Sequence, residues 1–165
     1  FYNELVAAPN GVTMRRDRVQ LPAATIGGTR YTVEQFRNAR GELRFEVDES
    51  GHVTEYRYDD AGRLVRRVDA DPDGPSNPLL SPETVYAYDH AGNVTSVTDP
   101  LGKVTRYEYD ARMRLEKVIQ PHPTGGSGNG PVWQYVLDES GMVEQMIDPL
   151  GRITSYVYDG MGRLQ

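Results

Sequence analysis

One pattern, present in three copies, constrains this chain more than any other feature. Residues 52–59, 103–110 and 152–159 all read x-[VI]-T-x-Y-x-Y-D, and each copy continues to Arg-Leu, at 63–64, 114–115 and 163–164. Alternate side chains of a β-strand point to opposite faces. Thr54, Tyr56 and Tyr58 therefore share one face. Val53, Glu55 and Arg57 share the other. The pattern predicts half-buried strands with a Thr-Tyr-Tyr row.

A turn motif, D-x-x-G, separates these strands. The Asp carboxylate can accept the backbone N–H two residues on, and Gly takes the positive φ that such a hairpin needs. The closing positions fall at 41, 51 and 62, then 92, 102 and 113, then 141, 151 and 162, so the steps within each triplet are 10 and 11. Met113 is the exception to glycine. The motif begins at Asp48, Asp59, Asp89, Asp99, Asp138, Asp148 and Asp159, with a near match at Asn38.

This spacing leaves strands of about 6–7 residues between turns, which is an ordinary strand length. We therefore expect an all-β fold, a spiralling antiparallel β-hairpin meander, in which equivalent tyrosines line up on neighbouring strands or coils. Two long connections, 71–82 and 122–131, should leave the same side of the sheet. Residues 1–34 fit the repeat poorly and are expected to form an irregular strand and loop lead-in, and 35–165 the repeat array.

Composition agrees with a sheet that has no deep core. Apolar residues make up 38% of the chain, below the roughly 45–50% of globular chains, and tyrosines (11) outnumber phenylalanines (3). The net charge of −6 argues against a nucleic-acid surface. No apolar run approaches the length of a membrane span. A start without Met and an end just after a turn indicate a piece of a longer polypeptide.

The series Tyr-x-Tyr-Asp-x-x-Gly-Arg-Leu resembles the RHS/YD-repeat family. Residues 56–64 and 156–164 match throughout, 86–94 departs after Gly92, and 107–115 departs at Met113. The resemblance covers about residues 35–165. The positions that carry it are Tyr56, Tyr58, Asp59, Gly62, Arg63, Tyr86, Tyr88, Asp89, Gly92, Tyr107, Tyr109, Asp110, Tyr156, Tyr158, Asp159, Gly162 and Arg163.

The resemblance implies a role as well as a fold. Members of this family form a hollow β-shell, and in bacterial polymorphic toxins and insecticidal toxin complexes the shell encloses a toxic C-terminal segment. It implies that this chain is a YD-repeat shell fragment, a structural wall segment and not an enzyme. The toxin would be secreted or delivered by a secretion system. The partners of this chain would be the rest of its own polypeptide and the enclosed cargo. The related teneurins suggest the alternative, a cell-surface adhesion or carbohydrate-binding module.

Candidate sites of other kinds have simpler explanations. Asp69-Ala70-Asp71-Pro72-Asp73-Gly74 opens like a calcium loop, but the twelfth position is Leu80 and not Glu, which favours a solvated acidic loop. The histidines share no metal or catalytic spacing. Rows of tyrosines could stack on sugars, although pairing within a sheet explains them as well. We therefore predict no catalytic residue, no metal site and no cofactor.

Overall fold

The computed structural model describes residues 2–20, 32–72, 80–125 and 129–165, and within these ranges every regular element is a β-strand. The chain divides into two compact units, residues 1–85 and 86–165. The strands of the first unit are β1 (Tyr2–Ala7), β2 (Thr13–Gln20), β3 (Thr32–Arg37), β4 (Leu43–Val47), β5 (Val53–Tyr58) and β6 (Leu64–Val68). The next strand, β7 (Glu83–Tyr88), crosses the boundary, and the second unit continues with β8 (Val94–Thr98), β9 (Val104–Tyr109), β10 (Leu115–Ile119), β11 (Val132–Leu137), β12 (Val143–Ile147) and β13 (Ile153–Ser155).

Strands that follow one another in the chain pair side by side. In the first unit each strand from β1 to β7 is antiparallel to the next. The second unit repeats the arrangement from β8 to β13. This pairing confirms the predicted all-β antiparallel meander.

The long connections take the place of turns without interrupting the pairing. Between β6 and β7, the Asp69 N–H donates to the Pro82 carbonyl at 2.8 Å, and between β10 and β11 the Gln120 N–H donates to the Pro131 carbonyl at 2.8 Å. In the first unit the β6–β7 connection leaves the same edge as the β4–β5 turn, because connections of a meander alternate between edges. The β10–β11 connection likewise shares its edge with the β8–β9 turn.

Residues 1–34, expected to be strand and loop, contain β1 and β2. Their hairpin closes through Ala8–Gly11, where the Ala8 N–H donates to Val12 and the Gly11 N–H donates back to Ala8. Ala8 thus stands where the later turns have Asp. Residues 21–31 lie outside the described part, and the boundary between lead-in and array stays a prediction.

The apolar core is shallow. In the described part only Ala8, Phe36, Phe45 and Ile119 are buried among the hydrophobic side chains. Phe36 and Phe45 lie directly opposite each other on β3 and β4, and Ala8 packs with them. Most strand residues are half-buried. Such a sheet gains its stability from many partly buried pairs and not from one filled interior.

The predicted two-faced strand is present. On β5, Tyr56 lies opposite Arg67 and Glu55 lies opposite Val68, so neighbours in sequence occupy different faces. Tyr56 and Tyr58 are half-buried while Arg57 between them is exposed. The ring row is therefore half-buried, and on the opposite face Val53 packs against the buried Phe36 and Phe45.

Candidate functional site

The most regular chemical feature of the chain is the repeated hairpin turn. At Asp59 the side-chain Oδ1 accepts the N–H of Ala61 at 3.0 Å and of Arg63 at 2.9 Å. The Gly62 N–H donates to the Asp59 carbonyl at 3.0 Å, and φ of Gly62 is 80°. This is a type I turn closed by a left-handed residue, the usual three-residue hairpin loop.

An arginine completes the turn. The Arg63 Nε donates to Asp59 Oδ2 at 2.7 Å, so one carboxylate accepts both backbone and side-chain donors. The same geometry recurs at Asp110–Arg114 and at Asp159–Arg163, each with 2.7 Å between Nε and Oδ2. The Arg-Leu that follows each of these turns thus begins with the residue that pairs with the turn aspartate.

Other residues take the place of arginine in some turns. Asn93 donates its amide to Asp89 Oδ2 at 2.9 Å, and the His52 Nδ1 lies 3.1 Å from Asp48 Oδ2. Asn38 shows that an amide can replace the carboxylate itself, because its Oδ1 accepts two turn N–H groups. These turns therefore share a side-chain oxygen that accepts backbone N–H groups, whereas the charge of that side chain varies.

These hydrogen bonds favour the ionised carboxylate. The backbone N–H of the residue four positions on, followed by its side chain, lowers the pKa of the turn aspartates below the ordinary value. At Asp89 the larger cause is the Asn93 side chain. The shifted residues are Asp48, Asp59, Asp89, Asp110, Asp148 and Asp159. The carboxylates are thus engaged as turn acceptors and not as proton donors.

Tyrosines alternate with other side chains across the sheet. Tyr107 lies opposite Val118, and Val118 lies opposite Trp133, so an aliphatic residue separates the two rings. Tyr109 lies opposite Leu115, and Tyr56 lies opposite Arg67. The direct partner of a tyrosine in these described pairs is therefore not another tyrosine, so the rings do not line up on directly paired strands, which was one of the two expected arrangements. The shorter strand β10, which lies between β9 and β11, supplies the separating residue Val118.

The tyrosine hydroxyls also act within the sheet. Tyr109 donates to the Val94 carbonyl at 2.9 Å, and Tyr158 donates to the Val143 carbonyl at 3.0 Å. Burial raises the pKa of Tyr56, Tyr58 and Tyr109. The second tyrosine of the motif thus ties one hairpin to the hairpin before it.

A β-bulge follows the turn and explains the leucine of the Gly-Arg-Leu motif. Tyr58 pairs with Leu64 and Arg57 with Arg66, so Val65 has no partner. Arg44, Glu116 and Glu144 are bypassed in the same way in the hairpins of β3–β4, β9–β10 and β11–β12. The extra residue reverses the alternation, which turns the leucine toward the second tyrosine. Simple alternation of the sequence does not reveal this reversal.

The remaining sequence candidates do not assemble into a site. Asp73 and Gly74 of the acidic loop, which opens like a calcium loop, lie outside the described residues. Over the ranges that the structure describes, no three side chains of His, Asp and Glu are grouped to hold a metal ion. The His122 Nδ1 lies 3.1 Å from the Thr124 hydroxyl, within its own loop. No described helix is long and apolar enough to cross a membrane.

Comparison with known families identifies the repeat. The sequence model of the RHS Repeat matches residues 37–74 and 88–122, which contain the turns that close at positions 41, 51, 62, 92, 102 and 113. Over these two segments the chain is similar to the RHS/YD-repeat family. The first match ends at residue 74, inside the long 71–82 connection, and the second begins at residue 88, beyond it.

A curated relative is similar to part of this chain. Over 97 residues the chain is 32% identical to the double-stranded DNA deaminase toxin A of Burkholderia cenocepacia (strain H111). The alignment covers 56% of this chain and 6% of the relative. The likeness therefore concerns a small part of that toxin.

Solved structures share the fold over nearly the whole chain. A crystal structure of TcdB2-TccC3 with Cdc42 matches 95% of this chain and 8% of its own, with a TM-score of 0.72 and 18% identity. TcdB2-TccC3 without its hypervariable C-terminal region gives 0.71 at 19% identity. A Tc holotoxin pore of Photorhabdus luminescens matches 93% of this chain and 8% of its own, at 0.64 and 18%. At such identities the likeness shows the fold.

Proposed function

We propose that this chain is a wall segment of an RHS shell, which encloses a toxic segment of a secreted bacterial toxin. The observation that carries the proposal is a sheet of successive hairpins with few fully buried side chains. Ala8, Phe36, Phe45 and Ile119 are the buried hydrophobic residues of the described part, and most other strand residues are half-exposed. A wall wetted on two sides needs this distribution, whereas a compact enzyme domain needs a filled core.

The likeness to known proteins supports the same role. The structures that share this fold are assemblies whose titles name TcdB2 and TccC3, and one of those titles names a hypervariable C-terminal region. The curated relative is a toxin. The chain spans only 6–9% of these proteins, so enclosure of a cargo is a proposal for the polypeptide that contains this segment.

The turn chemistry suits a structural wall. The Asp-Arg turns pair their charged groups within the turn, with Arg114 also donating to the Asp138 carbonyl, and Tyr109 and Tyr158 use their hydroxyls on backbone carbonyls. This arrangement also weakens the alternative of a sugar-binding tyrosine platform, because these hydroxyls already have partners. A glycan array provides the separate test of that alternative, and binding to a defined sugar would favour it.

Two measurements on the natively purified parent polypeptide test enclosure. The first is its mass under mild and denaturing conditions: pieces that separate only after denaturation indicate a processed shell that holds its contents. An independent product of 165 residues would contradict the proposal. The second is protease treatment, in which the enclosed segment should survive until the wall opens.

A pair of substitutions sharpens the protease test. Phe45→Ala removes one of the few buried rings, and Leu101→Ala removes a side chain that is 79% exposed. The enclosed segment should become more sensitive to protease with the first change and stay protected with the second. Equal digestion of that segment in the unmodified parent and in both variants would exclude a protective wall.

A further inference from the structure

Within each unit, consecutive turns on one edge of the sheet are separated by gaps; these turns are 38–41 and 59–62 in the first unit, and 89–92, 110–113, 138–141 and 159–162 in the second. In two gaps an arginine from the earlier turn reaches across. Arg40 donates to the Asp60 carbonyl at 3.3 Å, and Arg112 donates to the Glu139 carbonyl at 3.4 Å. Arg114 strengthens the second bridge with a 2.6 Å hydrogen bond to the Asp138 carbonyl. A guanidinium is thus the regular occupant of these two gaps.

A third gap of this kind is occupied by a methionine. A Cβ built on Gly162 would lie 3.5 Å from the sulfur of Met142. Met142 comes directly after Gly141, the last residue of its turn, just as Arg114 comes directly after Met113. Both the arginines and the methionine come from the earlier turn. The earlier turn therefore normally supplies the side chain that fills the space before the next one.

The gap between turns 89–92 and 110–113 departs from this rule. Ala91 stands at the position of Arg40 and Arg112, and Asn93 stands at the position of Arg114. Asn93 directs its amide to Asp89 in its own turn. Neither side chain can bridge to the next turn as an arginine does.

An open groove results. Its volume is about 920 Å³, compared with about 350 Å³ beside Arg40 and about 330 Å³ beside Arg114. Three tyrosine rings line it, from Tyr88, Tyr107 and Tyr109. Volumes of this order are typical of ligand sites, and the faces of tyrosine rings attract cations.

The walls of the groove match a guanidinium. Its backbone acceptors are the Asp110 and Ala111 carbonyls, which occupy the places of the Asp138 and Asp60 carbonyls in the bridged gaps. The Glu116 carboxylate lines the groove as well, and His90 also lines it, but no lysine or arginine is among the described residues that do. An arginine guanidinium, which crosses the two bridged gaps, is missing from this groove.

We propose that this groove binds an arginine side chain presented by a separate peptide segment. The guanidinium would stack on the tyrosine rings and donate to the Ala111 carbonyl, as Arg40 does to Asp60. Met113 lines the same groove with 61% of its surface exposed and with a φ of 63°, which is unusual for a residue with a side chain. A thioether there gives the methylenes of the arginine an adaptable apolar contact. This inference goes beyond the wall function and does not depend on it.

The test is a titration of the 165-residue chain, observed through its labelled backbone amides by NMR. The probe is the pentapeptide Gly-Ser-Arg-Ser-Gly, and its counterpart contains citrulline, which has the same shape without the charge. Amides of residues 89–93 and 107–113 should shift saturably with the arginine peptide, and the citrulline peptide should bind about tenfold more weakly. Equal affinity for both peptides would overturn the proposal, and so would an arginine peptide that leaves these amides unmoved.

An internal arginine should compete with the peptide. Ala91→Arg places a guanidinium where Arg40 and Arg112 carry theirs, at an exposed turn position, and should weaken peptide binding at least about tenfold. Ser140→Arg adds the same charge at the same position of another turn and should leave binding unchanged. Binding that survives Ala91→Arg, or that Ser140→Arg reduces as strongly, would contradict the assigned groove.

Free arginine separates a peptide site from a side-chain site. The peptide should bind more tightly than L-arginine amide, because neighbouring backbone groups contact the groove walls. Equal affinity for the free amino acid would overturn the peptide assignment. These titrations follow shifts on one turn edge, so their failure is distinct from a failure of the enclosure proposal, which is measured on the parent polypeptide.

Discussion

At the scale of single residues, the turns use several side chains for one task. Asp59 and Asn38 both accept two turn N–H groups, although only Asp59 carries a charge. Gly62 and Met113 both adopt a left-handed conformation, although only glycine does so without steric cost. The turn geometry is therefore imposed by the hairpin, and individual residues fit it more or less well.

Met113→Gly tests that statement. A residue with a Cβ in the left-handed region carries about 1–2 kcal/mol of strain, and glycine loses about 0.5–1 kcal/mol through the greater freedom of its unfolded chain. We expect the substitution to raise the free energy of unfolding by up to about 1 kcal/mol in urea denaturation. Met161→Gly is the matched control, because Met161 is an exposed turn residue outside the set with positive φ. An equal gain from both changes would contradict a conformational cause.

At the scale of hairpins, the sequence predicts the turns and the strand faces but not how consecutive hairpins join. The D-x-x-G motif and the alternation at Thr54 and Tyr56 concern neighbours in the chain, where local geometry decides the outcome. Leu64 and Val68 have the same parity, so alternation assigns them to one face, yet the bulge at Val65 separates them. The reach of Arg40 to Asp60 depends on the stagger of two hairpins, which no local pattern encodes.

The pairing of Phe36 and Phe45 makes the hairpin of β3 and β4 the best-packed one of the first unit. Phe45→Ala should lower the free energy of unfolding by about 3 kcal/mol, because Phe45 is 5% exposed and leaves a cavity. Leu150→Ala, at a turn residue 79% exposed, should change it by less than about 0.5 kcal/mol. Chemical denaturation monitored by circular dichroism measures both. Similar losses for the two variants would mean that the Phe36–Phe45 contact does not anchor the sheet.

At the scale of the whole molecule, stability is distributed along the repeat and not concentrated in a core. Six turn aspartates have a lowered pKa, each through hydrogen bonds made inside its own turn. Because the same interaction recurs, conditions that weaken one turn weaken them all. A repeat protein of this kind should therefore respond to acid as an array, with many small contributions lost over the same range of pH.

The direction of that response follows from the sign of the shifts. An unfolded aspartate has a pKa of about 3.9, and the folded turn aspartates have lower values, so the unfolded state binds more protons between the two. Their contribution to stability is complete above about pH 5 and is lost as the pH falls below about 4, through the folded pKa values. Urea midpoints measured between pH 7 and pH 2 should show this loss.

Asp59→Asn isolates one member of the array. The amide keeps an oxygen for the two turn N–H groups, as Asn38 does, but it does not titrate. The variant should therefore lose less stability between pH 5 and pH 2 than the unmodified chain, while Asp60→Asn, an exposed neighbour in the same turn, should follow the unmodified curve. If both variants kept the full acid dependence, the turn carboxylate would not be its source, and the arginine pairs around it would be no more than surface contacts.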